Sequence, residues 1–132
     1  MNLQDVSTQA LAYLGDCVIE LCVRGHLVES GLSTSAHLNA EALNYVRAGA
    51  QAQAMKRLLP HLNEEEDAYF RRGRNIGHTN VPKRATVSEY RSATGMEVLF
   101  GYLHVTGQTA RIDELFALAY LQEASEDGTD AS

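Results

Sequence analysis

The 132-residue chain has no tryptophan, two prolines, two cysteines and only 7% aromatic residues, and each scarcity removes a class of protein. With so few cysteines no disulfide framework can form. Cys17 and Cys22 stand five apart in one apolar stretch, a spacing unsuited to a mutual disulfide, and they read as buried free thiols. No apolar run approaches membrane-spanning length, and MNLQDVSTQ lacks the basic-then-apolar layout of a signal peptide, which leads to the expectation of a cytoplasmic protein with no membrane partner. His26, His37, His61, His78 and His104 include no pair three or four apart, so no zinc site is expected on a helix. Gly73 and Gly77 follow no strand and fit no nucleotide-binding fingerprint; they read as loop hinges.

What remains is ordinary for one compact domain: 45% apolar and 21% charged residues, with a net charge of -6. The charge is unevenly spread. Residues 71 to 91 carry Arg71, Arg72, Arg74, Lys83, Arg84 and Arg91 against Glu89 alone, a local +5 that leaves -11 elsewhere. Such a cluster suits phosphate binding through counterion release, while a solvated loop balanced by the neighbouring Glu64, Glu65, Glu66 and Asp67 would carry the same charges.

Apolar positions recur at helical spacing almost throughout, and the spacing predicts an all-α single domain. A first helix is expected from Thr8 to Glu29, capped by Gly31, and a second from Ser35 to Leu59, ending before Pro60. Asn63 with Glu66, and Thr86 with Glu89, have capping-box spacing and open a third and fourth helix; the fourth stops at Gly107. Residues 73–85 read as an ordered loop bearing most of the basic strip, and a last helix follows Thr109. The expected organisation is a domain over residues 1–123 and a disordered acidic tail over 124–132.

Asp16 and Glu20 lie one helical turn apart in an otherwise apolar segment, and Glu97 is isolated among Gly95, Met96, Val98, Leu99, Phe100 and Gly101. Each is either a solvated face of an amphipathic helix or part of a hard-cation site, since helical carboxylates suit magnesium. Gln51, on an alanine-rich face, could reach an RNA backbone or satisfy a buried carbonyl.

These residues also carry a resemblance. Leu11-Ala-Tyr-Leu-Gly-Asp16-Cys-Val-Ile-Glu20 resembles the first-helix signature of ribonuclease III catalytic domains, and the segment from Tyr90 through Glu97 to Gly101 resembles their second signature. Val46-Arg-Ala-Gly-Ala-Gln51-Ala, Arg72-Gly-Arg-Asn75 and Val81-Pro-Lys83 resemble the Mini-ribonuclease III branch, a catalytic domain without a double-stranded-RNA-binding domain. The likeness spans roughly residues 8 to 122.

The resemblance implies a ribonuclease III-like endonuclease fold and a magnesium-dependent endoribonuclease, with Asp16 and Glu97 as catalytic metal ligands and Glu20 acting indirectly. It implies RNA contacts from Arg71, Arg72, Arg74, Asn75, His78, Lys83 and Arg84, with Gln51 a weaker candidate. The implied partners are double-stranded RNA, the precursor of 23S ribosomal RNA in particular, and a second copy of the chain, with room for a ribosomal protein as helper. Ala12 and Thr94 stand where larger members of the family carry acidic residues, so a noncatalytic RNA-binding dimer of degenerate ribonuclease III fold is the competing reading.

Overall fold

The computed structural model describes residues 1–76 and 85–121, and these are helical, with no strand among them. After a 3-10 turn at Leu3–Asp5 come α1 (Thr8–Glu29), α2 (Ser35–Val46), α3 (Ala48–Leu58), a 3-10 turn at Leu59–His61, α4 (Glu64–Arg74), α5 (Val87–Val105) and α6 (Thr109–Phe116), which runs on into a π-helical turn, Ala117–Leu121. His78, Lys83, Arg84, Gly77 and the 124–132 tail lie outside the described residues.

The architecture is organised around α5. Its residues Ala93, Gly95, Met96 and Val98 through Leu103 are all buried, so it is apolar on every side except at a few polar positions, the pattern of a central helix. Helices α1, α3 and α4 pack around it, with α2 lying on α1. The ends of these helices follow local chemistry. Ser7, Thr34, Asn63 and Thr86 each accept a backbone N–H of the first turn, and both capping boxes form as the sequence spacing requires. Gly31 and Gly107, at φ 100° and 71°, take the left-handed conformation after α1 and α5.

Four expectations need correction. The single helix over 35–59 is two, because Arg47 is extended (φ -63°, ψ 149°) and serves as the last cap of α2 and the first of α3. The break lets α2 lie on α1 while α3 turns to face α5. The loop expected from residue 73 starts later: α4 continues to Arg74, so that Arg74 joins Arg71 and Arg72, already expected near the end of this helix, on its last turn, where cations suit the helix dipole. Gly73 is no hinge, since it is buried in α4 and a methyl there would lie 2.6 Å from Val98 Cγ2 and 2.8 Å from Gly95 Cα. Finally, the cysteines are not both buried. Cys17 is exposed and Cys22 half-buried, its thiol pKa raised by burial and by the charge of Asp113.

A buried ion pair ties α6 to the start of α4. Arg111 donates from Nε and one terminal nitrogen to the two oxygens of Glu66, each 2.8 Å away, and to the His61 carbonyl, also at 2.8 Å. Glu66 also accepts the Asn63 N–H of its own capping box, so this buried carboxylate has every oxygen engaged.

Candidate active site

The centre of the site is a crossing of two helix backbones. Gly15 of α1 lies directly on α5, where a side-chain methyl would overlap the carbonyl oxygen of Glu97; four residues along α5, Gly101 sits as closely on the carbonyl of Leu11. Only glycine allows this approach at both positions. Because Asp16 follows Gly15, the crossing brings its exposed carboxylate to Glu97, which is half-buried in α5.

The electrostatics bear this out. The Glu97 carboxyl is pushed up to about 8, first by burial, then by the charge of Asp16 and a side-chain hydrogen bond to it. A carboxyl pair in this state holds a proton at neutral pH when no cation is present and favours any cation that compensates its charge. The residues thus fit a hard divalent ion, which keeps most of its waters and needs few protein ligands. Among the described residues no group of three or more His, Cys, Asp or Glu side chains converges on a metal position, and the carboxylates of Asp16 and Glu97 are the pair that meets at the crossing.

The other acidic candidate is differently engaged. Glu20 accepts from Arg24 Nε at 2.9 Å, a partly exposed i,i+4 pair. Thr94, at the place of a familial aspartate, turns its hydroxyl to the Tyr90 carbonyl of its own helix at 3.1 Å. It offers no charge to a metal.

The basic candidates divide by partner. Arg71 is paired with Asp67 at 2.7 Å. Arg72 reaches Thr8 Oγ1 at 3.0 Å and lies over the Tyr69 ring, which stacks on Tyr102, whose hydroxyl donates to Glu65 at 2.7 Å. Arg72 is therefore held at the start of α1 by a cation–π contact and a hydrogen bond. Arg74 and Asn75 are exposed at the end of α4. Gln51 is only 3% exposed, within the packing of α3 and away from the surface where RNA could touch it.

The resemblance points to the first helix as the face shared with a second copy, but sequence reasoning did not name the residues that form it. Tyr13, Cys17, Leu21 and Val28 share a solvent-facing stripe of α1, with Tyr13 86% and Leu21 73% exposed. Beside it runs a largely apolar groove of about 770 Å³ between α1 and α6, lined by Leu14, Val18, Ile112 and Phe116 among others. The signal in the sequence was an apolar helix with more apolar positions than one face can bury.

Comparison with known proteins bears on the family and the fold. Residues 9–108 match the Ribonuclease III domain. The chain is 47% identical over 111 residues to the Mini-ribonuclease 3 of Desulfitobacterium hafniense (strain Y51), covering 83% of this chain and 69% of that protein. It is 44% identical over 109 residues to the Mini-ribonuclease 3 of Symbiobacterium thermophilum, covering 83% and 84%. The crystal structure of protein FN1578 from Fusobacterium nucleatum superposes with a TM-score of 0.82 at 28% identity, over 92% of this chain and 97% of that one. By these matches the chain belongs to the ribonuclease III family of endoribonucleases, in its Mini-ribonuclease 3 branch.

Proposed function

We propose that this endoribonuclease hydrolyses phosphodiester bonds in double-stranded RNA as a magnesium-dependent homodimer, each subunit cutting one strand, and that its substrate is the paired end of precursor 23S ribosomal RNA. The observation that carries the reading is the meeting of Asp16 and Glu97 where Gly15 crosses α5.

Asp16 and Glu97 would hold the magnesium ion through carboxylate oxygens, Glu97 giving up its proton as it did so. When bound, such an ion activates water and offsets charge gathering on the phosphate. Rigid helices fix both carboxylates, so little reorganisation is required of the protein. Glu20, tied to Arg24, would act only indirectly, by orienting what surrounds the pair. Arg72 and Arg74 would position the duplex by its phosphates, because an A-form helix displays backbone and 2′-hydroxyls more than base edges. The exposed stripe of Tyr13, Leu21 and Val28 supplies the apolar surface a second copy would cover.

The noncatalytic alternative rests on Ala12 and Thr94 at familial acidic places, which leave two carboxylates to meet among the described residues; the Mini-ribonuclease III branch that the chain resembles shows the same losses, so they do not exclude catalysis. Incubating the purified chain with a long RNA duplex and with precursor ribosomal RNA, with and without magnesium, and mapping the ends decides between them. The proposal requires magnesium-dependent cuts leaving a 5′-phosphate and a short 3′ overhang. Binding without cuts would establish the alternative.

A further inference from the structure

A second concave feature lies away from the α1–α5 crossing. Helices α3, α4 and the first turns of α5 enclose a cleft of about 510 Å³ whose rim carries Lys56 from α3, Arg74 from α4 and Arg91 from α5. All three side chains are exposed, and among the described residues none of them makes an ion pair or side-chain hydrogen bond. This sets them apart from Arg24, Arg71 and Arg111, each of which is paired with a carboxylate. Among the described residues one acid lines the cleft, Glu89, and one of its oxygens already accepts the Thr86 N–H of the capping box at 3.0 Å. Three cations from three elements against one carboxylate leave the described lining with a net charge of +2, which favours an anion between them. The hydroxyls of Ser88 and Ser92 add donors to the same wall.

We infer that Lys56, Arg74 and Arg91 hold a backbone phosphate of the RNA strand at a station separate from the Asp16–Glu97 centre. The chemistry suits a phosphodiester: two guanidinium forks and an ammonium point charge surround the space, with hydroxyl donors beside them. Continuity favours an RNA strand over a free anion, because Arg74 belongs both to this cleft and to the basic last turn of α4. The cleft carries that track from α4 across to α3 and α5. The rest of the described lining is mostly apolar, with Ala52, Met55, Leu59, Phe70 and Val87, and Glu89 is the one carboxylate it sets against a phosphate. Lys56 lies far from the basic strip in sequence, and it enters only because α3 folds onto α5.

The inference rests on the reading of the protein as a binder of RNA duplexes, and its test separates the two. Duplex binding is measured on the full chain without divalent cation at several salt concentrations, for the unaltered protein, a Lys56→Ala/Arg91→Ala double variant, Lys56→Arg and Lys56→Glu, each checked by circular dichroism. The double variant is expected to bind roughly five- to tenfold more weakly at 0.1 M salt, with the slope of log affinity against log salt shallower by about one. Lys56→Arg should keep the unaltered slope, and Lys56→Glu should weaken binding although a single exposed side chain leaves the fold in place. Equal affinity and slope in the double variant, with the unaltered protein binding well, would overturn the station alone. No duplex binding by the unaltered protein would overturn the RNA reading and the station together. A parallel titration with inorganic phosphate closes the remaining route: phosphate binding that needs Lys56 and Arg91, beside an unchanged duplex slope, would make the cleft a free-anion site and overturn the inference.

Discussion

Gly15 and Glu97 are in backbone contact across the α1–α5 crossing, and this single approach sets the Asp16 carboxylate against the Glu97 carboxyl. The site is thus built by a missing side chain as much as by the two that are present.

Gly15→Ala is expected to force α1 off α5, because its methyl would overlap the Glu97 carbonyl. Overpacking of this kind costs about 1–3 kcal/mol, and it should separate the carboxylates and lower cleavage together with stability. Gly25→Ala, on the same helix with nothing within 4 Å of the new methyl, should stabilise by about 0.4–1 kcal/mol and leave cleavage alone. Thermal unfolding and duplex cleavage of the two variants check the contrast. Equal behaviour would remove the reason given for the crossing.

The raised pKa of Glu97 has a definite sign in stability. Its folded value of about 8 exceeds the ordinary carboxyl value of 4.5, so the folded state binds the extra proton between those limits. Without a divalent cation, stability should therefore fall as pH rises from about 4.5 to 8, and the loss should be complete above that window. Glu97→Gln should lack this part of the slope and be the more stable protein at pH 8. Magnesium affinity should rise over the same interval as the proton is given up. Denaturant unfolding across pH, with and without magnesium, measures all three.

Glu66 and Arg111 behave oppositely. The Arg111 hydrogen bond holds the Glu66 carboxyl below its usual range, so the stability it contributes is present above pH 4.5 and is lost as pH falls. Arg111→Met would leave a buried carboxylate at 1% exposure without its cation, at a cost of about 3–5 kcal/mol. Chemical denaturation at neutral pH reads this directly, and a change below 1 kcal/mol would contradict the assignment of a tight buried pair.

The α1 stripe should close a dimer. Leu21→Glu places a charge in the middle of the exposed apolar face and should yield a folded monomer by light scattering, with the unaltered chain dimeric at micromolar concentration. A monomeric unaltered chain would leave Tyr13 and Leu21 without the proposed cover.

Much of this fold was legible because its determinants are local. The capping boxes at Asn63/Glu66 and Thr86/Glu89 involve residues three apart, and both formed. The left-handed turns at Gly31 and Gly107 were equally local. The break at Arg47 was not legible, since no proline and no side-chain cap marks it, Gly49 falls inside the first turn of α3, and α2 and α3 part to pack on different partners. Gly73 misled for a related reason: its small size answers to Val98 and Gly95 on another helix, so a residue that reads as a hinge is a packing contact. The cysteines were misjudged because their helix has two apolar sides, and Cys17 faces the one that the fold leaves uncovered. For the site, periodicity alone could place Asp16 and Glu97 only on separate helices. The resemblance joined them, and the glycine crossing gives the physical reason.

The central claim is that Asp16 and Glu97 together hold the ion on which cleavage depends. It is tested most directly by measuring magnesium-dependent cleavage of an RNA duplex by Asp16→Asn and Glu97→Gln, with helicity and duplex binding followed on the same preparations. The amide variants keep size and helix compatibility while removing charge from a crowded acidic pair. The expected result is folded, RNA-binding protein in which either substitution abolishes most cleavage; a folded Asp16→Asn variant that still cuts with magnesium would contradict the account.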